Sequence, residues 1–131
     1  MRQRPRKEAF ETAISHRILE YRPIPSSALK PGVFHKDLKR CLADGYPFVF
    51  GFVVYESFEK NKRGTWKTGI MPIPNGKHEQ SKGGHAVMAV GYDDRRKAAL
   101  IRNSRGTDWG LAGYFRMPYT LISDPKFAYD F

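Results

Sequence analysis

Two apolar runs joined by a short charged turn constrain this chain more than any other feature. Residues 86–92 (AVMAVGY) lead into a charged turn at 93–97 (DDRRK), and residues 98–102 (AALIR) return from it. Apolar, β-branched runs bounded by turn residues read as strands, so this segment is predicted to be an antiparallel hairpin. A second run, 46–55 (YPFVFGFVVY), is rich in aromatic and β-branched residues and is predicted to be a central buried strand. Its 10 residues fall well short of the roughly 20 that a membrane-crossing helix needs. Residues 113–117 predict a further strand. Strands at hairpin spacing imply an antiparallel sheet, and a sheet of this kind must cover one face with helix or with itself.

The helical content is small. Phe34, Leu38, Cys41 and Leu42 form an apolar stripe over 34–43, with Lys36, Lys39 and Arg40 on the opposite side. Gly45 follows where a helix C-terminus favours glycine. Upstream, Phe10, Ile14, Ile18 and Tyr21 recur at helical spacing and predict a short helix within 8–21. Pro23, Pro25 and Pro31 then oppose helix. The expected organisation is a basic leader over 1–9, a short helix and Pro-rich linker over 10–33, and a β-rich domain over 34–131. The polar stretch 59–84 is expected to run over the surface, with one short strand near 69–73. Hydrophobic content of 40% supports a folded core rather than a disordered tail. The net charge of +10 is spread over separate clusters (Arg2, Arg4, Arg6 and Lys7; Lys60, Lys62 and Arg63; Arg95, Arg96 and Lys97). Each cluster falls in an expected tail, loop or turn, where solvated charge is ordinary, so neither nucleic acid nor a membrane is an expected partner. The basic leader has no apolar stretch behind it, so no secretory signal is read.

The chemistry-bearing residues cluster around the hairpin. His85 follows Gly83 and Gly84 at the head of the first arm, and Asn103 follows the second arm, 18 residues on (103 − 85). Counted outward from the turn, the two lie at similar distances on opposite arms and can face each other. A histidine–asparagine pair suits nucleophilic catalysis by a thiol: the amide oxygen accepts from one ring nitrogen and leaves the other free to serve the sulfur. The segments LKRCLADGYPFVFGFVVYESF, GGHAVMAVGYDD, IRNSRGTDWG and GYFRMPY, spanning 38–119, resemble the C-terminal half of papain-family cysteine peptidases. The resemblance implies an α+β papain-like fold, mainly its antiparallel, β-barrel-like right-hand domain with a flanking helix. It implies His85 as the catalytic imidazole and Asn103 as its orienting partner. It further implies that the Gly84 carbonyl holds substrate and that Trp109 lines the leaving-group side of the cleft. The expected partners are a peptide or protein substrate and a complementary nucleophile-bearing domain.

Two departures from the family pattern stand out. Two residues after the asparagine the family places tryptophan; here Arg105 brings a permanent positive charge, which is expected to oppose a protonated imidazole. The nucleophile is the larger gap. The family's cysteine lies roughly 130–150 residues before its histidine, whereas the single cysteine here, Cys41, lies 44 residues before His85 (85 − 41) on the apolar side of a helix. No glutamine stands ahead of a cysteine motif to complete an oxyanion hole. The expectation is therefore a C-terminal portion of a cysteine endopeptidase that is inactive alone. The alternative is a catalytically dead half-domain that binds extended peptides or a partner chain. His78 beside Glu79 lacks a second histidine at helical spacing, so no metal is expected, and no cofactor.

Overall fold

The computed structural model describes residues 4–17, 20, 23, 29–59, 64–75 and 78–131. Five strands form one antiparallel sheet: β1 (Phe48–Tyr55), β2 (Ser81–Asp93), β3 (Ala98–Arg102), β4 (Tyr114–Pro118) and β5 (Ala128–Tyr129), in the spatial order β4-β3-β2-β1-β5. The predicted hairpin is present as β2 and β3, with Asp93 opposite Ala98 and Met88 opposite Arg102. The run 46–55 forms β1 and sits between β2 and β5. Its alternation explains the choice of face: Phe50, Phe52 and Val54 are buried, while Val49 is exposed.

The buried face meets Val87 and Ala89 of β2, Ala99 and Ile101 of β3, and Phe115 and Met117 of β4. Aromatic rings fill its centre. Phe52 lies 5.3 Å from Phe58, 5.8 Å from Phe127 and 6.3 Å from Phe115, and Phe50 stacks on Phe131 at 5.2 Å. Burying a side chain of this size contributes about 1.5–3 kcal/mol, which makes the aromatic centre the main stabilising element of the sheet.

The flanking helix α2 (Lys36–Ala43) buries Leu38 and ends as predicted. Gly45 takes φ +88°, and the amides of Gly45 and Tyr46 donate to the carbonyls of Leu42 and Cys41. α2 is tied to the hairpin by Lys39, whose ammonium lies 2.7 Å from the Asp94 carboxylate and 5.4 Å from the centre of the Tyr92 ring. Tyr119 donates to the same carboxylate at 3.1 Å and stacks on Phe34 at 4.8 Å.

Near the N-terminus, helix α1 occupies Lys7–Ala13 and a 3-10 turn follows over Ile14–His16; Phe10 and Ile14 are exposed. Ile18 and Tyr21, the rest of the predicted stripe, lie outside the described residues. Three short helices had no sequence signature: α3 (Glu56–Glu59), α4 (Thr65–Thr68) and α5 (Tyr119–Ile122). The expected strand near 69–73 is reduced to a single bridge between Ile70 and Arg116. Pro72 and Pro74 carry no amide hydrogen, so the ladder cannot run further.

Candidate active site

β2 is longer than the sequence implied: it begins at Ser81, and His85 is its fifth residue rather than its first. The added length comes from β1, which pairs with Gly83, Gly84 and His85 through Val54, Val53 and Phe52. β3 supports only the later part, its ladder on β2 beginning at Met88. His85 shares a face with Val87 and Ala89, by the two-residue period of the strand, and its ring meets the Phe52 ring edge-on at 5.8 Å.

Asn103 stands just past β3. The register that sets Met88 against Arg102 runs on to set Asn103 across from Val87, on the same face as His85 and diagonal to it. Diagonal neighbours in a sheet lie within reach of longer side chains, and these two meet: His85 Nε2 is 2.9 Å from Asn103 Oδ1. That oxygen also accepts the Ser104 amide at 2.8 Å. An oxygen bonded this way is an acceptor only, so the histidine nitrogen facing it must be the one that carries hydrogen. The neutral ring then keeps an unprotonated Nδ1.

The asparagine is buried at 8% exposure, its amide donates to the Gly113 carbonyl at 2.9 Å, and its Nδ2 has no hydrogen-bond partner among the described residues. An unpaired buried donor of this kind costs about 1–3 kcal/mol.

The two glycines before His85 differ. A side chain on Gly83 would meet open space, although its φ of +108° disfavours one. A Cβ on Gly84 would fall 2.3 Å from the Tyr129 hydroxyl, and one on Gly51 2.4 Å from the edge of the same ring. Tyr129 thus lies in the furrow left by two glycines, beside the strand that carries His85. β5 is two residues long, too short for its alternation to be read from sequence, so Tyr129 carried no signal.

Trp109 packs on Phe58 and Phe115, with ring centres 5.6 Å from each, and is half-buried; its carbonyl accepts the Gly113 amide at 2.7 Å. It anchors the loop that follows Asn103 while leaving part of the indole open. Arg105 is not an uncompensated charge: its guanidinium lies 2.7 Å from the Glu59 carboxylate at the end of α3. The partner stands 46 residues away in sequence, which is why sequence spacing gave no sign of it.

Cys41 stays apart from this arrangement in kind as well as in sequence. Its thiol donates to the Tyr46 carbonyl at 3.3 Å within the α2 terminus. Burial, and then the Asp44 carboxylate, push the thiol's pKa up, the opposite of what a thiolate nucleophile needs.

The antiparallel sheet thus presents a hydrogen-bonded histidine–asparagine pair, with no activated thiol among the described residues. The family model "Papain family cysteine protease" matches residues 7–123, and the chain belongs to that family. A peptidase C1-like protein of Acanthamoeba polyphaga mimivirus is 41% identical over 99% of this chain and 41% of its own length. A cathepsin B-like protein of Giardia intestinalis is 36% identical over 70% of this chain and 29% of its own. Among solved structures, xylellain, a cysteine protease from Xylella fastidiosa, superposes with a TM-score of 0.79 at 40% identity, covering 98% of this chain and 44% of that one. The chain thus spans less than half the length of each of these proteins.

Proposed function

We propose that these residues carry the imidazole–carboxamide half of a papain-type site for peptide-bond hydrolysis. The supporting observation is the 2.9 Å contact between His85 Nε2 and Asn103 Oδ1, which directs Nδ1 away from the asparagine. In this reading a thiol supplied by residues outside these 131 gives its proton to His85 Nδ1. The thiolate attacks the peptide carbonyl, and the imidazolium returns the proton to the leaving amine. Asn103 holds the ring's tautomer and direction. The Gly84 carbonyl holds the substrate backbone, and the open part of Trp109 lines the leaving-group side.

These 131 residues alone are inactive in this reading, because Cys41 is the only thiol and an imidazole without a nucleophile forms no acyl-enzyme. The test supplies the missing half: a nucleophile-bearing helical domain of a papain-family peptidase, fused or mixed with this chain, assayed on a fluorogenic peptide. Thiol-dependent hydrolysis that falls at least about a hundredfold in His85→Ala is the expected result. Activity indifferent to His85→Ala refutes the reading.

A second reading rests on a different observation. The exposed β2 residues Ser81–Gly84 have β1 on one side and no β3 partner on the other, an edge that an extended peptide can extend by strand addition. Peptide binding that survives His85→Ala, in the absence of any hydrolysis by the completed site, would favour this binding role.

A further inference from the structure

The loop after Asn103 is held unevenly. Its later part is pinned by Trp109 in the aromatic centre, by the Gly110 amide on the Trp66 carbonyl at 2.7 Å, and by the Gly113 amide on the Trp109 carbonyl. Its first part, Ser104 to Thr107, is exposed, yet this part governs the carboxamide: the Ser104 amide donates to the very oxygen that faces His85. The Asn103–Ser104 peptide, one residue ahead of Arg105, therefore helps to hold Asn103 Oδ1 in place. The side-chain tie of this stretch to the rest of the described chain is the Arg105–Glu59 contact.

The topology gives that contact its meaning. β2 lies between β3 and β1. Arg105 leaves the end of β3, whereas Glu59 stands four residues past the end of β1. Their 2.7 Å contact therefore joins the two flanking strands across the end of β2 that holds His85. Phe58, next to Glu59, packs on Phe52, and Phe52 meets the His85 ring. Arg105 thus stands two positions after Asn103, and Glu59 is linked to His85 through Phe58 and Phe52.

We propose that Glu59 and Arg105 form a clasp of two positioning residues that holds the Asn103 carboxamide against His85. The proposal rests on the reading of that pair as the functional site, but its test does not pass through catalysis. In the isotopically labelled full chain, the His85 Nε2–H resonance, assigned by its loss in His85→Ala, reports the hydrogen bond to Asn103 through its rate of exchange with water. Amides of the β2–β3 ladder serve as the control for general loosening. Glu59→Ala and Arg105→Ala should each speed the ring proton's exchange by about two- to fivefold, the weight of a partly exposed ion pair, with ladder amides unchanged. The reciprocal double variant, Glu59→Arg with Arg105→Glu, should restore the rate to within about twofold of the parent.

Unchanged ring exchange in the single variants overturns the clasp. So does exchange that rises together with the ladder amides, or a reciprocal variant that restores nothing. Indifference of a completed enzyme to His85→Ala removes the functional reading while leaving the ring measurement to judge the clasp by itself.

Discussion

Phe52 is the residue through which the core and the site depend on each other, and its replacement by alanine is the sharpest test of the packing. The ring is fully buried, touches Phe58, Phe115 and Phe127, and meets the His85 ring edge-on. Truncating a buried phenylalanine removes its transfer free energy and leaves a cavity, costing about 3–5 kcal/mol. For a chain of 131 residues, an unfolding entropy of about 2.1 cal/mol/K per residue gives roughly 0.28 kcal/mol per kelvin. The midpoint should therefore fall by about 11–18 °C. Val49 lies three positions earlier on the opposite face and is 56% exposed; Val49→Ala should change stability by no more than about 0.5 kcal/mol, or roughly 2 °C. Thermal unfolding followed by far-ultraviolet circular dichroism, with urea titration as a cross-check, measures both. A loss in Phe52→Ala below about 3 °C, or one no larger than that of Val49→Ala, would refute the assignment of the inner face.

Other outcomes follow from single features. Gly110 takes φ +60°, and a Cβ there would fall 2.5 Å from the Tyr114 carbonyl oxygen; Gly110→Ala should destabilise by about 2–4 kcal/mol in urea titration, and a neutral result would refute the loop geometry. Hydrogen bonding to Lys39, more than that to Tyr119, holds the Asp94 carboxyl below its ordinary pKa. A depressed folded value means that this contribution to stability is complete above the unfolded pKa of about 3.9 and disappears as pH falls through the folded value. Asp94→Asn should therefore flatten the acid limb of the urea midpoint between about pH 4 and pH 2, and an unchanged limb would exclude the Lys39–Asp94 pair as its source. Cys41, with its raised pKa, should react with iodoacetamide at about pH 7.5 more slowly than a small-molecule thiol of ordinary pKa; faster alkylation would contradict its environment.

The parts of the fold that were legible in sequence are those whose signal is local. The hairpin was marked by its charged turn, β1 by its aromatic and β-branched run, and the end of α2 by Gly45. The extent of β2 was not legible, because Ser81–Gly84 are polar or glycine and are strand only by virtue of pairing with Tyr55, Val54 and Val53 of β1. β5 was missed for the same reason: two residues become a strand through Gly51 and Phe52, with no period of their own to read. At the site, His85 and Asn103 were readable from their places on either side of one hairpin. Glu59 and Tyr129 reach the same region from elements 26 and 44 residues away from His85 (85 − 59; 129 − 85), and only the folded sheet brings them there.

A histidine is oriented by short-range contacts alone, namely a neighbouring acceptor, a wall for the ring and a fixed loop. Here β2 supplies His85, the end of β3 supplies Asn103, β1 supplies the Phe52 wall, and α3 supplies Phe58 and Glu59. All lie within one sheet and its attached turns. The buried Asn103 Nδ2, without a partner among the described residues, is a cost that this arrangement already bears. The entropic cost of fixing the imidazole against Asn103 is thus met by folding of the sheet. On the reading proposed above, residues outside these 131 have to supply both the thiol and the oxyanion-hole glutamine, while the imidazole is already oriented.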